Sequence, residues 1–515
     1  MSQKRDIDYS LYLVTGRELL PKGIDYYDSL EESLKGGVTA VQVREKTVDT
    51  GETQEICSKY NVPIIINDRI DVALAIKADG VHLGQTDMPI EIAKKLLPPS
   101  MVLGLSVSSP AEATLASKAG VDYVGIGPIW WTTSKKLTKD VIGPRGISSI
   151  LDALSQSIKT IGIGGIKYRN LIRTLHGAVT ASGRTLDGIA VISEIVSSSE
   201  PRKAAENLRS LHRAFTDQPH PTQPFTPWTI PTELPTRADI VHQVAKLIVE
   251  TRALTPLVHQ ITNYVAMTQS ANITLAMGAS PIMATAPTEM EDLSKVCGGL
   301  LINFGTIGDF EGMLLAGEFA NLNKKPVVFD PVAVGATAHR RSTANQLLNA
   351  WQATVIKGNA SEIGALAGLT EVKSRGVDSI GDGFTDPATV VKELSLKERC
   401  IVVMTGKDDW ISNGESVIKL SNGHHLLPGI TASGCIVGSA IATYCGTVNI
   451  LARRGLAESS ASDGRLVLGD MLLGAVAGVL AITIASEIAG ERPDVRLGHL
   501  TPEPIIRRAK ITQIA

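Results

Sequence analysis

Several ordinary signals are scarce in this chain of 515 residues, and each absence narrows what it can be. Charge of one sign is missing: 50 Lys and Arg against 52 Asp and Glu leave a net charge of −2, with no basic excess to draw nucleic acid. Cysteine is sparse and scattered (Cys57, Cys297, Cys400, Cys435, Cys445) with no CxxC pair, which argues against a disulfide framework or zinc site and fits a reducing compartment. Residues 1–9 hold no apolar run of signal-peptide type, so a cytosolic protein is expected. There is no Walker A motif and no short-period repeat, which excludes a P-loop kinase and a solenoid. One run, 469–488, has membrane-spanning length, but it is rich in Ala and Gly and bounded by Asp470, Glu487 and Glu491. A buried core helix is expected there. Aromatics make up only 4% of the chain, whereas glycine is plentiful at 47 residues. That balance suits α/β enzymes whose tight loops approach phosphates, as it suits any loop-rich α/β fold.

Length favours at least two domains. The stretch 216–236, TDQPHPTQPFTPWTIPTELPT, carries six prolines and reads as an extended linker between a domain at 1–215 and another at 237–515. Before it, eight apolar runs alternate with helical patterns: 10–16, 39–45, 63–68, 80–85, 102–107, 123–128, 160–166 and 188–194. Their number and spacing predict a (β/α)8 TIM barrel, with a doubly wound open sheet as the rival. After the linker, strands are expected at 300–305, 326–331, 353–359 and 400–406, with helices over 434–445 and 469–488.

Polar residues fall at the C-terminal ends of the barrel runs, where a barrel gathers its active site. Asp68 and Asp87 end two different strands and can together hold Mg2+ with its waters, although Asp68 reads equally well as a turn or helix cap. Arg44, Lys46, Lys135 and Lys136 add positive charge, and GIGGI (162–166) and AVIS (190–193) can cradle a phosphate on backbone N–H groups. The motifs VQVREK (41–46), INDR (66–69), HLGQTD (82–87), GLSVSS (104–109), GPIWWTTSKK (127–136), GIGGI and AVIS together resemble thiamin-phosphate synthase across residues 8–195. That resemblance implies condensation of a hydroxymethylpyrimidine diphosphate with a thiazole phosphate by a dissociative route. It places Gln42, Arg44, Lys46 and Asn67 around the pyrimidine diphosphate, Asp68 and Asp87 on Mg2+, and Ser106 and Lys135 on the pyrimidine substrate. Thr132, Thr133 and Ser134 would hold the thiazole phosphate, with Gly165, Ile192 and Ser193 closing the phosphate pocket. Ser134 stands where the family commonly has Thr, and Trp130-Trp131 where an aromatic-Pro pair is common, which bears on the rigidity of that loop.

In the second half, GITASGCIVGSAIA (429–442) is a small-residue loop leading into a helix, able to offer backbone N–H groups to an anion. Gly434 and Gly438 serve equally well for close helix packing. Asp330 at a strand end and Glu362, one turn beyond Asn359, can organise Mg2+ and its waters, or Glu362 can simply complement a helix dipole. The motifs PLVHQITNYVA (256–266), GASPIMA (278–284), DPVAVGAT (330–337), IKGNASEI (356–363), VMTGKDD (403–409) and TASGC (431–435) resemble hydroxyethylthiazole kinase, a ribokinase-like α/β fold, over residues 237–510. The resemblance implies ATP-dependent phosphorylation of the thiazole alcohol. Met283 and Ala432 would line the thiazole pocket, Lys357 and Thr405 would contact ATP, and Cys435 would lie beside the transferred phosphate. It also implies a homo-oligomer built on kinase trimers with thiazole sites at subunit contacts. Lys357 replaces a common Arg, Ala333 and Ala432 occupy usual glycine positions, and Cys435 stands where related sugar kinases carry Asp. A helix N-terminus is expected to lower the Cys435 pKa, and the thiol is expected to position the alcohol rather than act as its base. Read together, the halves describe a bifunctional enzyme whose C-terminal product feeds its N-terminal reaction.

Overall fold

The structure is a computed structural model describing residues 4–45, 50–134, 139–180, 182–217, 236–369, 373–375, 378–380, 383–454, 464–491 and 511–514. The chain forms two compact units, one built on the residues before 218–235 and one on those after. Helices Pro201–Thr216 and Arg237–Leu254 flank that stretch, so most of the expected linker lies outside the described residues.

In the first unit, β1 (Leu11–Val14), β2 (Ala40–Val43), β3 (Ile64–Asn67), β4 (Gly80–Leu83), β5 (Val102–Val107), β6 (Tyr123–Ile126), β7 (Lys159–Ile163) and β8 (Gly188–Val191) close into a parallel barrel in sequence order. All eight apolar runs are strands, and β1 pairs with β8 to seal the ring, which removes the open-sheet rival. Strand periodicity sorts the side chains. Tyr12, Val14, Ala40, Ile65, Val102, Tyr123, Ile161 and Ala190 form one buried interior cluster drawn from every strand but β4. At the matching level of β4 stands Gly80, in register between Ile65 and Val102, and a Cβ there would lie 2.3 Å from Val102 Cγ2. The barrel is therefore filled and leaves its chemistry to the strand ends.

In the second unit, β9 (Leu257–Ile261), β10 (Ser280–Ile282), β11 (Gly299–Asn303), β12 (Val327–Asp330) and β13 (Val355–Asn359) lead to a hairpin of β14 (Lys373–Arg375) and β15 (Asp378–Ile380). After it come β16 (Ile401–Thr405), β17 (Asp409–Ser412), β18 (Val417–Leu420) and β19 (Ile511–Ile514). The nine-stranded sheet runs β10-β9-β11-β12-β13-β16-β17-β18-β19, parallel through β16 and antiparallel beyond. Alternate residues feed two cores. Leu301, Val328, Val355, Ile401 and Val403 pack under helices Arg237–Leu254, Ser433–Arg454 and Met471–Gly490. Leu300, Ile302, Val327, Phe329, Ile356 and Val402 face the opposite layer, with Trp351 buried among them. This α/β sandwich is the ribokinase-like arrangement that the second set of motifs implied.

Helices Ser433–Arg454 and Met471–Gly490 are long and apolar enough to cross a membrane, but 72% and 67% of their apolar windows are buried inside this unit. They press together where glycine permits: a Cβ on Gly478 would stand 2.6 Å from Ile441 Cα, and one on Gly474 2.8 Å from Cys445 Sγ. The run at 469–488 is thus a core helix, as its boundary charges suggested.

Candidate active sites

At the barrel mouth, the ends of β3 and β4 set the two carboxylates. Asn67 pairs in register with His82, and the next backbone N–H, that of Asp68, donates to His82 O at 2.9 Å. Asp68 has φ +64°, a left-handed conformation that aspartate tolerates better than most residues but that still carries strain. It does not cap the following helix, Ile70–Ala75, whose N-cap is Arg69 and which has no side-chain cap bond. The cap alternative for Asp68 therefore falls away. Asp87 returns one oxygen, Oδ2, to the Gly84 N–H at 2.6 Å, leaving Oδ1 for a ligand. Two carboxylates from adjacent strand ends, one exposed and one half-used, fit Mg2+, which keeps several waters and takes one or two protein carboxylates. Among the described residues no group of three or more His, Cys, Asp or Glu stands together.

The loop after β6 lies against the end of β7. Trp130 N–H donates to Gly164 O at 2.9 Å, and its indole N–H donates to Thr174 Oγ1 at 2.8 Å. Trp130 therefore anchors the loop without a proline, while Trp131 is exposed. Thr132 Oγ1 accepts from Ser134 N–H at 3.2 Å, curling the hydroxyl-bearing segment into a turn with Thr133 exposed. Gly165 has φ +63°, and a Cβ on it would stand 2.6 Å from Trp131 O and 2.7 Å from Trp130 Cβ. Both the backbone angle and the close loop require glycine. Ile192 precedes the short helix Ser193–Val196 at the end of the neighbouring strand β8. Gln42 is buried at the end of β2 and Ser106 is partly exposed on β5, while the Arg44 backbone N–H donates to Thr15 Oγ1. Lys46, Lys135 and Lys136 lie outside the described residues.

In the second unit, the ends of β11, β12 and β13 meet the start of helix Ser433–Arg454. Lys357 Nζ stands 3.3 Å from Asp330 Oδ1, and the two side chains are only 4% and 0% exposed. Asp330 Oδ2 accepts from Asn303 Nδ2 at 2.8 Å, Asn303 Oδ1 accepts from Asn263 Nδ2 at 2.9 Å, and Asn263 Nδ2 also reaches Cys435 Sγ at 3.5 Å. Burial pushes the Asp330 carboxyl up against the pull of Lys357 and Asn303. Lys357 loses from burial, but the charges of Asp330 and Glu362 and the Cys435 thiol outweigh that loss, so its pKa rises and it stays cationic. Asn263 and Asn303 were missed in the sequence, although each is the amide that closes an apolar strand run (ITN, LIN).

Glu362 forms a capping box with Asn359: Oε2 accepts from Asn359 N–H and Oε1 from Ala333 N–H, both at 2.8 Å. Burial pushes its carboxyl up to about 7, against Lys357 and those two N–H groups, which hold it down. Both oxygens of Asp330 and of Glu362 already have donors inside the chain. Each of these oxygens has one lone pair committed, so the pair is also held in place by the chain itself.

The loop at 429–435 resolves the two readings of its glycines. Gly438 is a packing residue, since a Cβ there would lie 3.2 Å from Leu301 Cδ1. Gly434 instead faces Lys357 Nζ, 3.3 Å from where its Cβ would be. Among the described residues Ser433 N–H donates to Ile430 O at 3.2 Å and Ile436 N–H to Ala432 O at 3.0 Å, while the N–H groups of Gly434 and Cys435 between them have no backbone acceptor. An N-terminal helix turn with a lysine beneath it is suited to an anion. Ala432 and Ala333 have φ +62° and +56°, which is why glycine is common at both. The expected lowering of the Cys435 pKa is reversed: burial and the Asp330 charge raise it, outweighing Lys357 and the two asparagines. Thr405, in register with Asn359, donates to Gly358 O at 3.4 Å, and Met283 follows β10 at the sheet edge.

The fold defines a two-unit α/β enzyme whose candidate site residues gather at the strand ends of each unit. Residues 11–195 match the family described as Thiamine monophosphate synthase, and residues 248–456 match the Hydroxyethylthiazole kinase family. The probable thiamine biosynthetic bifunctional enzyme of Schizosaccharomyces pombe is 39% identical over 95% of this chain and 90% of its own length. A thiamine-phosphate synthase of Clostridium novyi is 45% identical over 40% of this chain and all of its own. A hydroxyethylthiazole kinase of Ruminiclostridium cellulolyticum is 37% identical over 49% of this chain and 87% of its own. The chain belongs to the family of bifunctional thiamine biosynthetic enzymes, with the synthase unit first and the kinase unit second.

Proposed function

We propose that the C-terminal unit transfers the γ-phosphoryl group of ATP to the hydroxyl of hydroxyethylthiazole, and that the N-terminal unit condenses the resulting thiazole phosphate with hydroxymethylpyrimidine diphosphate. The products are thiamine monophosphate and pyrophosphate. The observation that supports this reading is the gathering of the expected motif residues at the strand ends of each unit, with Lys357, Asp330 and the N–H groups of Gly434 and Cys435 together in the second.

In the kinase unit the alcohol oxygen bonds to phosphorus as the bond to ADP breaks, and the hydroxyl proton leaves. The N–H groups of Gly434 and Cys435 meet the phosphoryl oxygens, and Lys357 adds positive charge from beneath. Lys357 and Thr405 serve the ATP side, Met283 and Ala432 the thiazole side. Cys435 remains a thiol at neutral pH and orients the alcohol; it does not remove the proton.

In the synthase unit the C–O bond to pyrophosphate breaks first, and the thiazole nitrogen adds to the pyrimidinylmethyl cation, so no general base is required. Gln42, Asn67 and Ser106 hold the pyrimidine substrate. Arg44, Lys46 and Lys135 balance its diphosphate. The turn Thr132–Ser134, with Gly165, Ile192 and Ser193, holds the thiazole phosphate. Asp68 and Asp87 would hold Mg2+, which would supply further positive charge against the leaving pyrophosphate. The protein acts as a cytosolic homo-oligomer built on kinase trimers.

The test uses the full chain. With Mg2+, thiazole alcohol, pyrimidine diphosphate and ATP, thiamine monophosphate should form; without ATP it should form only from added thiazole phosphate. Asp68→Asn should abolish condensation and spare the kinase. Cys435→Ala should retain measurable phosphorylation, and complete loss in a folded variant would show that the thiol is essential.

A further inference from the structure

The barrel interior holds more polar chemistry than filling it requires. Tyr12, Gln42, His82 and Tyr123 are each at most 7% exposed, yet they are joined end to end. Gln42 Nε2 donates to Tyr12 Oη at 3.0 Å, and Tyr12 Oη lies 3.1 Å from Tyr123 Oη. Tyr123 Oη lies 3.0 Å from His82 Nδ1, and His82 Nε2 lies 2.9 Å from Ser106 Oγ. Five strands contribute one side chain each. Glycine makes the space: a Cβ on Gly104 would fall 2.1 Å from Tyr123 Cζ, and one on Gly125 would fall 3.3 Å from His82 Cε1.

The chain of bonds constrains its own direction. Burial raises the pKa of both phenols, so each keeps its proton and each hydroxyl can donate and accept. When the Gln42 amide donates into Tyr12, the Tyr12 proton must pass towards Tyr123. Tyr123 then donates to Nδ1, Nε2–H donates to Ser106, and the Ser106 proton is left to point outward. Gln42 meanwhile keeps its carbonyl oxygen for a ligand. If the Gln42 amide is turned over, every donor reverses: Gln42 offers N–H and Ser106 offers only lone pairs. In either setting the two ends have opposite polarity.

Building on the reading of this barrel as the pyrimidine-binding unit, we infer that Tyr12, Tyr123 and His82 are positioning residues for condensation. They form a relay that couples the hydrogen-bond polarity of Gln42 to that of Ser106. The ends then present one acceptor and one donor to a ring carrying an amino donor beside a ring-nitrogen acceptor, the pattern of an aminopyrimidine. None of the three acts on the reacting bond. Their effect is to hold the ring in one orientation, with its methylene towards the metal carboxylates.

The test is steady-state condensation by the full chain, with KM measured separately for the two substrates. Tyr123→Phe keeps the ring packing and cuts the relay. It should raise KM for the pyrimidine diphosphate about tenfold, one hydrogen bond's worth, with KM for thiazole phosphate within about twofold of wild type. Tyr12→Phe and Ser106→Ala remove hydroxyls that are not bonded to one another, so independent roles would multiply their effects. The relay predicts that the second change adds little once the first is made. An unchanged pyrimidine KM in Tyr123→Phe, or multiplicative effects in the Tyr12 and Ser106 pair, overturns the inference. If Tyr123→Phe fails to fold, the Tyr12 and Ser106 cycle decides alone. A wild-type chain that does not condense the two substrates refutes the assignment of the barrel instead, which separates the two failures.

Discussion

Replacing Lys357 with methionine tests whether the kinase centre is held together by charge. Lys357 and Asp330 are 3% and 0% exposed and 3.3 Å apart, so water screens neither. Methionine fills most of the same volume, and the change is close to pure loss of charge. It leaves a carboxylate buried with a single amide donor, Asn303 Nδ2. Breaking one half of a buried pair typically costs about 3–5 kcal/mol, because the remaining charge is still desolvated. For a unit of this size, each kcal/mol moves the melting temperature by roughly 2–4 °C, so the kinase transition should fall by roughly 6–20 °C. Calorimetry of the full chain reads this directly, with the kinase transition assigned by the temperature at which phosphorylation is lost. The double change Lys357→Met with Asp330→Leu removes both charges and should recover most of the stability while leaving the kinase inactive. A Lys357→Met protein that melts within about 1 °C of wild type would refute the argument, since the pair would then carry no uncompensated charge.

Other parts of the structure yield sharper readouts. Asp409 is buried and its carboxyl is pushed up to about 7, held back by the Gly406 N–H and the Lys357 charge. Between the ordinary carboxylate pKa near 4 and that value, the folded chain keeps a proton that the unfolded chain has released. Stability should therefore fall as pH rises from about 4 to about 7, by on the order of 4 kcal/mol, and stay low above it. Asp409→Asn should flatten much of that slope and melt higher than wild type at pH 8; a residual slope of the same sign belongs to Glu362, also pushed up to about 7. Ala432→Gly relieves a left-handed alanine worth about 1–2 kcal/mol but gains unfolded-state entropy worth about 0.4–1 kcal/mol, so urea titration should find it neutral to about 1 kcal/mol stabilised. Ala440→Gly, inside the helix Ser433–Arg454 that Ala432 precedes, should instead cost about 1 kcal/mol or more. Gly165→Ala drives a Cβ into the Trp131 carbonyl and should raise KM for thiazole phosphate at least tenfold, with kinase rates of the same chain unchanged.

Legibility in the sequence followed the range over which each signal acts. Every barrel strand was readable, because a parallel strand buried on both faces leaves an unbroken apolar run and eight such runs alternate with helical patterns. The antiparallel edge at β17 and β18 was not, because its four-residue strands, DWIS and VIKL, are too short and too interrupted by polar residues to leave such a run. Individual candidate residues were visible near the ends of elements, as at Asp68 after β3, Ser106 near the end of β5 and Cys435 at the start of its helix. What joins them was not. Tyr12 and Tyr123 are 111 positions apart, and Asn263 lies 172 from Cys435. Periodicity says that Tyr12 and Tyr123 point inward, but only the closed barrel says that they meet. Lys357 shows the same limit: its motif marks an anion site, but its burial against Asp330 depends on the register of β12 with β13.

Cys435 is where local and tertiary effects oppose each other most directly. By position it opens a helix, and the exposed dipole end favours a thiolate. In the fold it also lies close to Asp330, a buried carboxylate, with little water around either. Burial penalises the thiolate most and the Asp330 charge adds to that penalty, so the thiol pKa rises despite the helix end. The consequence reaches the reaction itself. A neutral thiol cannot take the alcohol proton before phosphorus is attacked, so the proton must leave late, once bonding to phosphorus has acidified the oxygen. That order suits a loose phosphoryl-transfer transition state, in which the nucleophile needs little activation and the N–H groups of Gly434 and Cys435 do the stabilising. The burial that keeps Cys435 a thiol also sets Asp330 against Lys357, and that carboxylate keeps the lysine charged beside the turn proposed to receive the phosphate.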